Sequence, residues 1–189
     1  MRPIAGVAAF VALALLSACA SRSDLTLQPA DLSSLDVARG PASAYRNAVA
    51  LAPVSVGRDT GTPWTARFGA TQVQQALMDT LLAARLGTAQ SGRFRLDATL
   101  LNLERPYASF AMTVTATIAY RLTDSQTGAV LYNQTITTIG SASLNDAITN
   151  EHRLRIADER AVQANLRRLV EDLYSLPEPQ SRMVGIRRY

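Results

Sequence analysis

A strict alternation of apolar and polar side chains runs through the middle of this 189-residue chain and constrains its fold more than any other feature. Successive side chains of a β-strand point to opposite faces of the sheet, so such a pattern predicts a long, half-buried antiparallel strand. Its apolar face carries Phe110, Met112, Val114, Ala116, Ile118, Tyr120 and Leu122, and its polar face carries Thr113, Thr115, Thr117 and Arg121.

A turn and a returning strand follow this alternation. Residues 124–128 read Asp-Ser-Gln-Thr-Gly, and Gly128 can adopt the positive φ that a hairpin turn requires. The returning strand has an apolar face and a hydroxyl-bearing face, the latter with Thr135 and Thr137. Two shorter β-like segments, residues 49–56 and 94–100, precede the alternation, so the sequence predicts four strands in all.

Two segments show helical spacing of apolar residues. The first has Thr62 as a candidate N-cap with Pro63 at the first helical position, continues over residues 64–86, and has Gly87 as a candidate C-cap. The second, residues 150–174, carries one apolar stripe and three opposite-charge pairs at i,i+4 on its polar side. The stripe is formed by Val162, Leu166, Leu169, Val170 and Leu173, and the pairs are Glu151–Arg155, Arg167–Glu171 and Arg168–Asp172.

These segments predict an α+β fold, a two-layer sandwich in which two helices pack on one face of a four-stranded, mainly antiparallel sheet in the order β-α-β-β-β-α. We place the domain at residues 45–176. A Pro- and Arg-containing C-terminal tail, residues 177–189, follows it, and its basic residues Arg182, Arg187 and Arg188 together with Tyr189 are expected to lie in solvent.

The N-terminus has the three parts of an export signal. Arg2 supplies the positive charge, and residues 4–16 form an uncharged apolar run that is shorter than the roughly 20 residues of a membrane-spanning helix. Two processing routes are open. The segment Leu16-Ser17-Ala18-Cys19 resembles the bacterial lipobox, which implies a signal peptide of residues 1–18 and lipidation, such as palmitate, at Cys19. The segment Ala18-Cys19-Ala20 also fits ordinary cleavage after Ala20.

We favour lipidation, because Cys19 follows the apolar run directly and is the only cysteine of the chain. Residues 19–44 are then the lipidated N-terminus and a flexible tether, on the order of 25–30 Å as a coil. By resemblance to enteric sorting, Ala20 after the cysteine indicates the outer membrane, with the domain on its periplasmic face.

Charge and motifs exclude several classes of function. The 19 basic residues, all arginine, face 15 acidic ones and are spread evenly, so nucleic-acid binding is not expected. His152 is the only histidine, and no nucleophile or phosphate-loop motif accompanies it, so we expect no catalytic residue, metal or cofactor. The adjacent acids Asp158-Glu159 and Glu171-Asp172 point about 100° apart on a helix and are expected to be solvated rather than a glycosidase pair.

One polar surface remains as a candidate binding face: the threonines of the two long strands, Thr113, Thr115, Thr117, Thr135 and Thr137. A solvated sheet face stabilised by cross-strand contacts is the simpler interpretation. The functional one is a surface or strand edge used by a partner. A groove between helices and sheet is the other candidate, with Trp64, Phe68 and Tyr107 at its end.

Three stretches resemble a family of small alphaproteobacterial outer-membrane lipoproteins over residues 45–175: Phe-Ala-Met-Thr-Val-Thr-Ala at 110–116, Tyr-Arg-Leu at 120–122, and Arg-Leu-Arg-Ile-Ala-Asp-Glu at 153–159 leading to Asn165. The layout is also similar to YajG-type lipoproteins and to the lipopolysaccharide-assembly lipoprotein LptE.

The resemblance implies a non-catalytic accessory protein of an envelope assembly, held to the membrane by acyl chains and binding an envelope protein during outer-membrane maintenance or lipid and lipopolysaccharide transport. Two alternatives stay open. One is an auxiliary subunit of an ABC-type lipid transporter, which a neighbouring ATPase and permease gene would indicate. The other is an enzyme acting on envelope glycans or lipids.

Overall fold

A computed structural model describes residues 26–35, 40–57, 69–105 and 111–179. Within them, two helices and five strands follow a short 3₁₀ turn at Ser43–Tyr45. The elements are β1 (Val49–Leu51), β2 (Ser55–Val56), α1 (Ala70–Ala83), β3 (Phe94–Glu104), β4 (Met112–Asp124), β5 (Val130–Ala142) and α2 (Asn150–Tyr174). The predicted α+β class and the two helices are confirmed.

The sheet is mixed, whereas the sequence predicted a mainly antiparallel one. Strands β3, β4 and β5 pair antiparallel, with Ile118 facing Leu100 on one side and Ile136 on the other. Strands β1 and β2 instead pair parallel with β3. Because the chain crosses over through α1 before it enters β3, strand β3 runs in the same direction as β1 and β2 and pairs parallel with them.

The predicted first strand, residues 49–56, is interrupted and forms two short strands. Pro53 lies between β1 and β2 and has no N–H group to donate to a ladder. The backbone N–H of Val54 donates instead to the Gln74 Oε1 of α1, at 3.2 Å. The sheet therefore has five strands, in the order β1-β3-β4-β5, with β2 also on β3.

Helix α1 differs from its prediction at both ends. It begins at Ala70, with Gly69 as N-cap, whereas the predicted cap Thr62-Pro63 lies outside the described residues. Its end is a Schellman motif built on Arg85 at φ 57°, so the predicted C-cap Gly87 is wrong. The N–H groups of Arg85 and Leu86 donate to the carbonyls of Leu82 and Leu81 at 3.0 and 2.9 Å.

The predicted alternation is confirmed over β4. Its apolar side chains from Val114 to Leu122 are buried against the helices, Met112 is half-buried, and Phe110 lies outside the described residues. Both helices contribute their stripes to a single core, and α2 has the predicted bounds. The largest fully buried side chains are Phe94, Leu96, Ile118, Tyr120 and Leu122 of the sheet, Leu77 and Leu81 of α1, Leu86 after it, and Leu166, Leu169 and Leu173 of α2.

The N-terminal residues 26–35 lie against the helices, which the predicted flexible tether did not anticipate. Leu27, Ala30 and Leu32 are buried in the core, and the Ala30 N–H donates to Thr80 Oγ1 at 3.0 Å. This stretch is a strap packed on the domain. The sequence boundaries of the tether as a whole stay a prediction.

A polar cluster inside the core joins α2 to two strands. The Asn165 side-chain N–H group donates to the Ile136 carbonyl at 2.8 Å, to Thr138 Oγ1 at 3.2 Å and to the Ala116 carbonyl at 3.3 Å. The Tyr120 hydroxyl donates to Asn165 Oδ1 at 2.9 Å. Burial, and to a smaller extent the nearby Tyr132, raises the pKa of Tyr120. This hydroxyl therefore stays protonated and can donate.

Close approach of α2 to β5 depends on Gly140. A Cβ atom at this position would lie 2.2 Å from the Ala157 carbonyl oxygen and 2.3 Å from the Ala161 nitrogen, both backbone atoms of α2. Helix and strand therefore touch through their main chains at this point. Thr138, two residues earlier, donates its hydroxyl to the Ala161 carbonyl at 2.7 Å.

We expect Gly140→Ala to destabilise the domain by about 3 kcal/mol, because the added methyl group must push α2 off the sheet. Urea unfolding of purified protein measures the loss. The control is Ser141→Ala, one residue on and exposed, which should change the free energy of unfolding by less than about 0.5 kcal/mol. Equal stabilities of the two variants would contradict the close approach.

We expect Tyr120→Phe to cost about 1–3 kcal/mol, because it leaves the buried Asn165 oxygen without a donor. Tyr174→Phe is the matched control. The hydroxyl of Tyr174 donates to the Ala84 carbonyl at 2.8 Å on a half-exposed residue, where water can replace it. Thermal unfolding of both variants should show the larger drop in Tm for position 120, and the reverse order would contradict the role of the cluster.

Candidate functional site

The five predicted threonines lie on the sheet face opposite the helices. Thr113, Thr115 and Thr117 alternate with the buried apolar residues of β4, and the register places Thr117 opposite Thr137 and Thr135 opposite Ala119. The Thr117 and Thr137 hydroxyl oxygens are 3.2 Å apart and hydrogen-bond to each other. The structure thus brings the threonines to one surface, and their role in binding stays a prediction.

This threonine face continues onto β2 and β3, which sequence reasoning missed. The hydroxyls of Ser55 and Thr99 hydrogen-bond at 2.8 Å, and an Arg95–Asp97 ion pair of 2.8 Å lies further along β3. The missed signal was the polar half of the alternation in β3, which has the same period as that in β4. The outer face of the sheet therefore carries polar side chains on several strands, although it also includes the exposed Ile139 of β5.

An open groove of about 850 Å³ separates β5 from the C-terminal half of α2. Strand β5 contributes Tyr132 and Gln134 through Thr138, and α2 with the residues after it contributes Ala164, Arg167, Arg168, Glu171, Asp172, Ser175 and Leu176. The sequence predicted a helix–sheet groove but lined its end with Trp64, Phe68 and Tyr107, which lie outside the described residues. Thr135 and Thr137 border both the groove and the threonine face.

Charges on the helix wall of the groove are paired with one another. Arg167 Nε lies 3.1 Å from Glu171 Oε1, and Arg168 Nε lies 3.2 Å from Asp172 Oδ1, as the i,i+4 spacing predicted. The Tyr132 hydroxyl donates to Asp172 Oδ2 at 2.7 Å. Burial, then the hydrogen bond to Asp172, raises the pKa of Tyr132. With two arginines against two acids, the helix wall of the groove is close to neutral.

Strand β5 is also an edge of the sheet. Among the described residues it pairs with β4 alone, so backbone N–H and C=O groups along its other side have no strand partner there. Such an edge is a template for an added strand. The groove, Thr135, Thr137 and this free edge together form a continuous candidate binding surface, which we call the β5 surface.

Asp158, one of the acids considered in the sequence, forms a buried ion pair, and His152 lies at the start of α2. Contrary to the prediction of solvated charge, Asp158 is fully buried, and Arg105 donates two hydrogen bonds of 2.8 Å to its two oxygens. A buried carboxylate needs such a partner, and this pair ties the end of β3 to α2. His152 is exposed in the first turn of α2, where its backbone N–H donates to the N-cap Thr149.

The described residues contain no group of three or more His, Cys, Asp or Glu side chains that could hold a metal ion. No helix in the same part of the chain is long and apolar enough to cross a membrane. Cys19, and the tail residues Arg182, Arg187, Arg188 and Tyr189, lie outside the described residues.

Neither a family model nor a curated protein matches the sequence. Solved structures do match the fold. A Xanthomonas campestris protein, XCC0632, of the family DUF330, is 18% identical, with a TM-score of 0.52 over 69% of this chain and 87% of that one. PelC from Paraburkholderia phytofirmans, a dodecamer, is 19% identical, with a TM-score of 0.50 over 72% of this chain and 95% of that one.

A minor lipoprotein from Acinetobacter baumannii is 15% identical, with a TM-score of 0.41 over 71% of this chain and 98% of its own. At these identities the two matches with TM-scores of 0.52 and 0.50 define the fold class and no function. The resemblance to alphaproteobacterial lipoproteins, YajG and LptE stays a prediction.

Proposed function

We propose that the mature protein is a lipid-anchored envelope protein that acts without catalysis, by holding a binding surface at the membrane. The observation that carries this is the segment Leu16-Ser17-Ala18-Cys19, in which the only cysteine follows an uncharged apolar run. Each buried methylene of an acyl chain contributes about 0.8 kcal/mol, so two or more chains retain a protein at a bilayer. The residue after the cysteine, Ala20, supports outer-membrane sorting.

A binding role is supported by the arrangement of polar groups in the described residues. The charges on the helix wall of the groove and the buried Asp158 are already paired, so they act as structure rather than as acid–base groups. The free edge of β5 instead offers backbone groups that a partner strand could pair with. Anchoring raises the local concentration of this surface for partners at the same membrane.

The ligand class that fits the β5 surface best is an extended segment of an envelope protein. Such a segment would pair with the β5 backbone and place alternate side chains over the threonine face and in the groove. Thr135 and Thr137 are exposed on this edge and hydroxyl-bearing, so they suit polar side chains of a partner. The near-neutral helix wall of the groove gives no preference for a strongly charged one.

Cys19→Ser should release the protein from membranes, because the substitution removes the thiol that accepts the acyl chains. Fractionation of cells in detergent-free buffer, with mass spectrometry of the mature N-terminus, measures both retention and processing. Ser21→Ala is the control and should stay in the membrane fraction. A wild-type protein that begins at Ser21 or washes off membranes would overturn the proposed anchoring.

A photo-crosslinking residue at Thr137 should capture an envelope protein in intact cells, because this position borders the groove and the edge. The matched control is Gln126, exposed in the β4–β5 turn at one end of the sheet. The expected result is an adduct specific to position 137 that is lost on Cys19→Ser. Membrane-retained protein without any adduct at position 137 would contradict binding at the β5 surface.

A further inference from the structure

The loop that joins β5 to α2 exposes two large apolar side chains. Ile148 is 90% exposed and Leu144 is 53% exposed, on a loop of only seven residues, 143–149. Single exposed apolar residues are ordinary, but here two lie on one short segment at one end of the molecule. What matters is whether the loop holds them in place.

The first half of the loop is braced by a carboxylate. Asp146 Oδ2 accepts from the Ser143 N–H at 2.8 Å and from the Ser143 hydroxyl at 3.0 Å. Arg160 of α2 donates to the other oxygen at 2.6 Å and to the Ser141 carbonyl at 2.7 Å. The hydrogen bond from Arg160, followed by those from Ser143, lowers the pKa of Asp146 well below its ordinary value, so the carboxylate stays charged.

The second half is braced from below by Arg153. This side chain is buried, and its Nη1 donates to the carbonyls of Ala147 and Ile148 at 3.1 and 2.9 Å. Its Nη2 donates to the Asn150 side chain. The backbone on both sides of the Ile148 side chain is therefore held, and the side chain is displayed on a preorganised loop, which lowers the ordering cost of binding.

The strap shows from which direction the anchored end of the chain arrives. The Pro29 carbonyl accepts from Gln163, and Ser34 accepts from Arg167 one helical turn later, so the strap runs along α2 from its beginning toward its end. Pro29, the end of the strap nearer to Cys19 in sequence, therefore lies toward the end of the domain where α2 begins. This is the end that carries the loop with Leu144 and Ile148.

The distance to the anchor is short. Thr26 follows Cys19 by seven positions, which span at most about 25 Å when fully extended. Gln163 lies 13 residues into α2, so the start of the helix is about 20 Å from it. Pro29, which accepts from Gln163, follows Cys19 by ten positions, at most about 36 Å when extended, so the chain between them is long enough to let the loop reach the surface of the bilayer that holds Cys19.

We propose that the loop 143–149 is a second membrane contact, in which Leu144 and Ile148 enter the boundary between headgroups and acyl chains. The proposal rests on the lipid anchor at Cys19 proposed above. The occupant is the bilayer itself, because the direction of the strap and the length of chain between it and Cys19 let this end of the domain reach the membrane. Entry of apolar side chains by several ångströms adds affinity and fixes orientation.

The contact would orient the binding surface. The groove lies along the C-terminal half of α2, between Ala164 and Leu176, roughly 20–40 Å along the helix from the loop. With the loop in the bilayer, the groove stands away from the membrane and is open to partners in the periplasm. The lipid chains supply retention, and the loop supplies the orientation.

The test uses the full lipidated protein with one introduced thiol. Ile148→Cys is labelled with an environment-sensitive fluorophore, since a lipidated Cys19 has no free thiol and the side chain at 148 is exposed enough to be replaced without loss of folding. Ser125→Cys, exposed in the turn at the opposite end of the sheet, is the matched control. Both are reconstituted into phosphatidylethanolamine–phosphatidylglycerol vesicles with and without a lipid that carries a quencher near its headgroup.

The expected result is a blue-shifted emission at position 148, with quenching by the lipid about threefold or more above that at position 125. Equal, water-like emission from both positions on sedimenting vesicles would overturn the loop contact and leave the anchor intact. A blue shift without lipid quenching would mean that protein covers the loop, and would also overturn it. Failure of the anchor shows separately, as protein that does not sediment with vesicles or as a second label on Cys19.

Discussion

The side-chain amide of Asn165 holds the helical layer to the sheet, and the other features of the described domain depend on this junction. It bonds to both long strands at once, through the Ala116 and Ile136 carbonyls, and receives the Tyr120 hydroxyl. An apolar side chain at this position could pack but would not select one position of α2 over the strands. A buried amide with every hydrogen-bonding group satisfied does so, because any displacement leaves polar groups unpaired in the core.

Once α2 is held in this position, its two ends serve different surfaces. Its C-terminal half stands beside the exposed edge of β5 and forms one wall of the groove, with its charges neutralised among themselves. Its N-terminal half directs Arg153 and Arg160 into the loop that follows β5, and Asp158 into the buried pair with Arg105. One helix therefore supports both the proposed partner surface and the proposed membrane contact, and Gly140 permits the approach that both require.

The long alternation in β4 and the stripe of α2 were predictable because each is a local periodicity that burial of one face imposes. Parallel pairing of β1 and β2 with β3 was missed although the predicted order β-α-β implies it, because a crossover through a helix returns the next strand in the same direction. Arg85 as the positive-φ residue after α1 was missed because glycine is the usual residue in that conformation and Gly87 lies two positions further on. Asp158 looked solvated because its partner, Arg105, lies 53 positions away and meets it only in the fold.

The sequence by itself determined the class of the fold, the bounds of α2, the threonine-bearing outer face of β4 and the expectation of an anchor at Cys19. These follow from properties of residues close together in the chain: period, capping, apolar length and a single cysteine. The tertiary structure alone decided that the strap packs against the helices, that the groove lies beside the β5 edge, and that Leu144 and Ile148 are held outward on a braced loop. The first two depend on contacts between residues far apart in sequence, which no local pattern encodes. The loop is held by the nearer residues Arg153 and Arg160, but their side chains reach it only because the chain turns from β5 into α2 at this point.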